Sequence, residues 1–357
     1  MSVQDANTGT TAVRALHRFD EASLACWMQA NVAGYQGPLR VEQFKGGQSN
    51  PTYKLITPTT SYVLRRKPPG PLLKGAHAIE REFRVLEALA RVAFPVARVC
   101  ALCTDDAVAG TAFYVMEYVE GRVMWDATLP QIAPGERRRY FDAMNETIAR
   151  LHTVDYAAIG LSDYGKPGNY FARQIARWSG QYADDEAAGR DAYLERLIEW
   201  LPQNIPPGEE SALVHGDCRF DNLIFHPAEA RVLAVLDWEL STLGHPLADF
   251  AYNALMYRMP AGMLPGLAGA DLEPLGIPTE AEYVAAYCRR TGRDGVPGYD
   301  FYIAFNLFRL AAIMHCIRGR VVRGTAASAH ARQMAQNVEL YARLGWLQAE
   351  RAMRGGA

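Results

Sequence analysis

Apolar positions change their spacing along this chain near residue 120. Before that point, short runs alternate between apolar and polar. VEQFKGG (41–47) and SYVLRRK (61–67) predict two strands around a turn-rich segment containing Gly46, Gly47, Ser49, Asn50 and Pro51, which is the signature of a hairpin carrying a loop. TAFYVMEYVEG (111–121) predicts a further strand closed by Gly121. Leu24, Trp27, Met28 and Val32 predict a helix over Glu21–Ala33, and Ile79, Phe83, Leu86 and Leu89 predict another over 77–91. Residues 1–19 read as a loose polar lead. After Gly121, ERRRYFDAMNETIARLHTV, AYLERLIEWL and most of 281–349 have helical spacing. Two short apolar segments, LVHGDCRFDNLIF (213–225) and VLAVLDWE (232–239), interrupt those helices. The pattern is α+β, with a small β-rich N-terminal lobe (1–120), a larger helical C-terminal lobe (121–357) and a joint near 118–122.

Composition narrows the partners. Among 357 residues, 37 Lys and Arg oppose 39 Asp and Glu, a net −2, so the basic excess of a nucleic-acid binder is missing. Six scattered cysteines are too sparse for a disulfide scaffold, and Cys100-x-x-Cys103 lacks the second pair or His of a zinc site. The first twenty residues hold acids and no apolar run, unlike a signal peptide. The longest apolar stretch, FYIAFNLFRLAAIMHCI, is broken by Asn306, Arg309 and His315, which argues against a membrane span. The expectation is a cytoplasmic, reducing location with no membrane or nucleic-acid partner. Oligomeric state is not readable.

LVHGDCRFDNLIF places His215, Asp217, Arg219, Asp221 and Asn222 between strand-like flanks in the form H-x-D-x-x-x-x-N. Asp217 and Asn222 can converge across a tight loop. Asp237, twenty residues after Asp217, ends an apolar run and faces few means of satisfaction other than a cation. The set suits phosphoryl transfer: one carboxylate takes the proton of an attacking hydroxyl, while an Asn and a second Asp hold magnesium against nucleotide phosphates. The protein-kinase signature has base, metal Asn and metal Asp in the order in which Asp217, Asn222 and Asp237 occur.

The first third supplies complementary parts. FKGGQSNPTYKL can set backbone N–H groups and the Ser49 hydroxyl, next to Asn50, near phosphates, although it is not G-x-G-x-x-G. Val63 and Arg65 share one strand face, an apolar residue over the base and a cation on the phosphates. Glu82, seventeen residues on, is placed on a helix from which it could orient Arg65. MEYVEG, with Glu117 and Tyr118, reads as the joint whose backbone could bind adenine.

With these residues in view, the chain resembles the aminoglycoside phosphotransferase family, which has a bilobal protein-kinase-like fold. The closer resemblance is to the branch that includes the kinase-like domains fused to some acyl-CoA dehydrogenases. GGQSNPTY, YVLRRKPPG, EREFRVLEAL, ARLHTVD, NYFARQIARWSGQY and FYIAFNLFRLAAIMHCIRGRVVRGTA carry it over roughly 40–330. It implies Asp217 as catalytic base, Asn222 and Asp237 as magnesium ligands, ATP or GTP as phosphate donor, and a small-molecule hydroxyl as acceptor. The branch points toward a hydroxyacyl thioester or related metabolite over an antibiotic. Two departures stand out. Arg65 replaces the family's usual Lys, and these cations are not interchangeable. Trp238-Glu239 replaces the Phe-Gly of protein kinases, which disfavours a protein substrate.

Other polar residues have plainer readings. His215 braces the loop, Asp249 ties a helix to it, and His152 packs as a satisfied imidazole. Glu239 either touches metal or substrate or forms an ion pair. Arg219 either pairs with a carboxylate or faces substrate, and Asp221 is solvated or a brace. Arg318, Arg320 and Arg323 read as a solvated helix end, with an anionic substrate as the alternative. The runner-up function is a catalytically silent, kinase-like nucleotide-binding module, suggested by Arg65 and the imperfect Gly loop. A metallohydrolase built on His215 and Asp217 lacks a second His cluster.

Overall fold

The computed structural model describes residues 8–46, 50–70, 78–260, 266–325 and 331–355. Its N-terminal region is a six-stranded antiparallel sheet, in spatial order β1-β2-β3-β4-β6-β5. The strands are β1 (Thr10–Thr11), β2 (Arg40–Phe44), β3 (Thr52–Ile56), β4 (Ser61–Arg66), β5 (Val99–Cys103) and β6 (Phe113–Glu117). The expected two-strand hairpin is therefore three strands. TYKLI, read as part of the turn-rich segment, alternates buried Tyr53 and Leu55 with half-buried neighbours and pairs with both flanking strands. The polar lead also contributes, since Thr10 lies opposite Phe44 and donates from Oγ1 to Glu42 Oε2 at 2.6 Å.

Two helices cover the sheet. Helix α1 (Glu21–Asn31) starts at Asp20, whose Oδ1 accepts the backbone N–H groups of Ala22 and Ser23. It buries Leu24 and Met28 in a cluster with Tyr53, Leu55, Leu64, Phe113 and Val115. Helix α2 (Ile79–Ala90) has buried Val85, Leu86 and Leu89, which belong to the larger core with Val63, Tyr114 and Met116. Strand alternation thus sends Tyr62 and Leu64 toward α1, and Val63 and Arg65 to the opposite face.

The C-terminal region is built on helices α3 (Pro134–His152), α4 (Tyr170–Asp184), α5 (Ala192–Trp200), α6 (Pro246–Asn253), α7 (Glu280–Thr291), α8 (Tyr299–Val322) and α9 (Val338–Gly355). Two small antiparallel pairs are set among them: β7 (Ala212–Val214) with β10 (Thr242–Gly244), and β8 (Leu223–Phe225) with β9 (Val232–Val235). Helix α8 is long and apolar enough to cross a membrane by length and composition, but 72% of its most apolar window is buried in the fold. The polar residues that break its pattern are tied to neighbouring segments. Asn306 Nδ2 donates to Ala248 O at 2.8 Å, His315 Nε2 lies 2.9 Å from Gly189 O, and Arg309 Nη2 donates to Gly216 O at 2.9 Å. Burial by its neighbours, more than polarity, marks α8 as a core helix.

Candidate active site

The loop after β7 is held from beneath by one buried carboxylate. Asp249, on α6, accepts the backbone N–H groups of His215 and Gly216, each at 2.8 Å. Its Oδ2 also lies 3.1 Å from His152 Nε2, and His152 Nδ1 lies 2.8 Å from the Tyr287 hydroxyl. Burial alone would push the Asp249 carboxyl up. The hydrogen bond from His152 and the charges of His152 and His215 outweigh burial and hold the group below the usual carboxylate range. His215 Nε2 lies 2.8 Å from Leu236 O, bracing the loop against the segment after β9. Gly216 has φ +86°, and a Cβ there would meet Leu240 at 3.0 Å, so the turn needs glycine.

Asp217 and Asn222 meet across this loop. Asn222 Nδ2 donates to the Asp217 backbone oxygen at 2.8 Å and to its Oδ2 at 3.0 Å. The Tyr252 hydroxyl donates to Asp217 Oδ1 at 2.7 Å, and Arg219 Nε lies 3.2 Å from the same oxygen. Burial, then the charge of Asp217, push the Tyr252 phenol far above its ordinary value, so it stays a donor. Arg219 Nη2 donates to Asp221 Oδ2 at 2.9 Å. Of the readings left open for these two residues, Arg219 pairs with carboxylates and Asp221 braces the loop. Burial would lower the Arg219 pKa, but Asp217 and Asp221 raise it, so the guanidinium is a permanent charge beside Asp217.

Asp237 sits two residues beyond the end of β9 in the left-handed region (φ 63°, ψ 62°). Leu236 N–H donates to Asn222 O at 2.8 Å, which sets Asp237 beside the Asn222 segment. From the sheet above, Arg65 reaches both ends of the site. Its Nε donates to Glu82 Oε2 at 2.7 Å and its Nη2 to Asp237 Oδ1 at 2.6 Å. Burial lowers the Arg65 pKa, yet Glu82 and Asp237 raise it further. Glu239 Oε2 is 3.8 Å from Arg65 Nη2, so of its two readings the ion pair is present. Asn50, expected from the sequence to contact the nucleotide, links two acids beside Arg65: its Nδ2 lies 3.1 Å from Glu82 Oε1 and 3.2 Å from Glu239 Oε2. The Tyr114 hydroxyl adds a bond to Glu82 Oε2 at 3.2 Å. Ser49 lies outside the described residues.

Arg65, Tyr114, Asp221, Asn222 and Asp237 border a cavity of about 410 Å³ between the sheet and the helical region, whereas Asp217 is not among its walls. Val63, Met116, Glu117, Tyr118, Val119 and Trp125 line it as well. The size suits a small-molecule site. The Glu117 carboxylate accepts the Arg98 backbone N–H at 3.0 Å, so that side chain serves the joint between strands. Tyr118 stacks near Phe44 with ring centroids 6.5 Å apart, and Lys54 Nζ lies 3.9 Å from the Tyr118 ring centre. Lys54 reaches this site only because TYKLI is a strand, for which its alternation is the one local signal.

A magnesium ion fits this donor set. Asp237 offers a carboxylate, and Asn222 keeps its amide oxygen as an acceptor because its nitrogen is committed to Asp217. Among the described residues there is no cluster of three or more His, Cys, Asp or Glu of metal-holding arrangement. Magnesium commonly takes one or two protein carboxylates and completes its shell with water and substrate phosphates.

Comparison with known proteins agrees with this geometry. Residues 40–305 match the model of the phosphotransferase enzyme family. The chain is 52% identical to a Ralstonia eutropha protein, provisionally assigned as an aminoglycoside phosphotransferase, whose crystal structure matches with a TM-score of 0.86 over 94% of this chain and 99% of that one. A Cryptosporidium parvum choline kinase matches with a TM-score of 0.61 at 11% identity, over 94% and 97% of the two chains, which shows the fold alone. An aminoglycoside phosphotransferase in a ternary complex with ADP and hygromycin B does the same at 0.57 and 14%, over 90% and 98%. Mouse acyl-CoA dehydrogenase family member 10 is 47% identical over 312 residues, covering 87% of this chain and 29% of the relative. Human acyl-CoA dehydrogenase family member 11 is 41% identical over 319 residues, covering 87% and 41%. The chain therefore spans less than half the length of these curated relatives. It belongs to the phosphotransferase enzyme family and has the bilobal, kinase-like fold of that family.

Proposed function

We propose that this protein is a magnesium-dependent kinase that transfers the terminal phosphoryl group of ATP or GTP to a hydroxyl of a small molecule. The observation that carries the reading is the Asn222 side chain, which lines the cavity with Asp237 and Arg65 and holds the Asp217 carboxylate at 3.0 Å. The nucleotide would occupy the 410 Å³ cavity, with its base against the Glu117–Tyr118 backbone and its phosphates toward Arg65. Asn222 and Asp237 would hold a magnesium ion, whose charge offsets that on the phosphates. Asp217, fixed by Tyr252 and Asn222, would orient the acceptor hydroxyl and take its proton. Residues 1–120 and 121–357 would act as the two lobes closing on the nucleotide.

The acceptor we propose is a hydroxyacyl thioester or related metabolite, in preference to an aminoglycoside. Two observations support this class. Arg219 lies against Asp217, and Arg309 bonds the neighbouring Gly216 carbonyl with its guanidinium carbon 4.8 Å from the centre of the Tyr252 ring. These two guanidinium groups offset the Asp217 and Asp221 charges, so this part of the site lacks the excess of carboxylates that would favour an amine-bearing acceptor. The matching relatives also carry the name of enzymes acting on acyl-CoA. One observation favours the silent nucleotide-binding module instead: Arg65 bonds Asp237 directly. ADP release from ATP, measured over a metabolite panel that includes hydroxyacyl-coenzyme A compounds, separates the two. Asp217→Asn should abolish turnover and leave nucleotide affinity within about twofold. An unchanged rate refutes the assignment.

A further inference from the structure

Three carboxylates, Glu82, Asp237 and Glu239, surround the single guanidinium of Arg65, at 2.7, 2.6 and 3.8 Å. Their formal sum is −3 + 1 = −2, and Asn50, which spans Glu82 and Glu239, adds no charge. The Arg65 and Glu82 side chains are 9% and 2% exposed, whereas that of Asp237 is 34% exposed at the cavity edge. The two bonds use different nitrogens. Nε anchors Arg65 to buried Glu82, and Nη2 reaches out to Asp237. A lysine would have one nitrogen for both tasks.

We infer that Arg65 is the resident counter-cation of the metal-facing carboxylate and yields it only when nucleotide phosphates arrive. The inference rests on the functional reading above and concerns the order in which the site fills. With Arg65 on Asp237, a divalent cation entering alone meets a fixed positive charge on the same carboxylate. Phosphates offer Nη2 an alternative anion while Nε keeps its hold on Glu82. Asp237 is then released to the metal, and metal and nucleotide strengthen each other's binding by the same factor. The substitution of Arg for the usual Lys thus makes Arg65 a positioning residue that keeps the site closed to metal without nucleotide.

The test is Mn²⁺ binding to the nucleotide-free protein, followed by the electron paramagnetic resonance signal of free Mn²⁺, with folding checked by circular dichroism. Arg65→Met should bind Mn²⁺ at least tenfold more tightly than the wild type, and adding Asp237→Asn should abolish the gain. Should Arg65→Met not fold, Arg65→Gln, which keeps a hydrogen-bond donor for Glu82, carries the same expectation. Equal Mn²⁺ affinity in wild type and variant overturns the inference, as does a gain that survives Asp237→Asn. The functional reading fails separately, if Asp237→Asn alone leaves Mn²⁺-dependent AMP-PNP binding at the wild-type level.

Discussion

Asp249 offers a stringent test of how the candidate catalytic loop is held. It is 4% exposed and accepts three hydrogen bonds: the His215 and Gly216 N–H groups at 2.8 Å each and His152 Nε2 at 3.1 Å. Replacing it by Asn preserves the shape but substitutes a donor for one acceptor oxygen. At least one of the three donors then faces an NH₂ group inside the core. Hydrogen bonds to a charged group contribute about 1.5–3 kcal/mol each, and an orphaned buried donor costs about 1–3 kcal/mol. Breaking such a network should cost about 3–5 kcal/mol, a large share of the ~5–15 kcal/mol that holds most proteins folded. Urea unfolding of nucleotide-free Asp249→Asn measures this, and a loss below about 1 kcal/mol would refute the reasoning. The pH dependence gives a second check. The folded carboxyl lies below its ordinary value, so its contribution is complete above the unfolded pKa of roughly 4 and is lost as pH falls through the lower folded value. Asp249→Asn should remove that part of the acid sensitivity.

Two further outcomes follow from other contacts. His245 caps α6, with Nδ1 accepting the Leu247 N–H at 3.3 Å, and burial pushes its imidazole down to about 4. Its contribution is full above the unfolded value near 6.5 and is lost, by up to about 1.4 kcal/mol per pH unit, as pH falls toward 4. His245→Asn keeps a capping acceptor and should flatten the stability profile over that window in a urea titration; an unchanged slope would count against it. Gly121 passes so close to β8 that a Cβ would lie 2.3 Å from Phe225 O and 2.5 Å from Ile224 Cγ2. Gly121→Ala should strain the paired Arg122–Phe225 backbone bonds, costing about 1–3 kcal/mol, and should weaken ATP binding measured by calorimetry, since Gly121 also lines the cavity.

What could be read from the sequence depended on how local the controlling interactions are. The α1 and α2 helices are set by apolar spacing within a dozen residues, and they were read to within two residues at either end. β3 was lost because Asn50-Pro51, a turn signal, adjoins its five residues, while pairing with β2 and β4 decides that it is a strand. The lead carries no strand signal for the same reason: Thr10 and Thr11 become a strand only by lying against Phe44 and Gln43. The partner of β7 was equally hidden. Sequence adjacency suggests β8 across the loop, yet β7 pairs with β10, thirty residues on.

The site divides along the same line. Asp217 and Asn222 are five residues apart, so a tight loop between two strand-like flanks was enough to bring them together, at 3.0 Å. The Arg65–Glu82 contact was legible for a similar reason. Strand alternation fixes the Arg65 face, and a helix seventeen residues on can deliver Glu82 to it. The contacts across the cleft were not legible. Arg65 to Asp237 spans 172 positions and Asn50 to Glu239 spans 189, and no periodicity carries information over such distances. Their existence still follows from physical necessity once the lobes are packed. Arg65, left with Glu82 alone, would be one buried cation on one buried acid beside two partly exposed acids, and a charge in that setting must find its partners nearby. The sequence therefore singles out polar residues that lie close in the chain, and the packing of the two lobes decides which distant ones are ion-paired across the cleft.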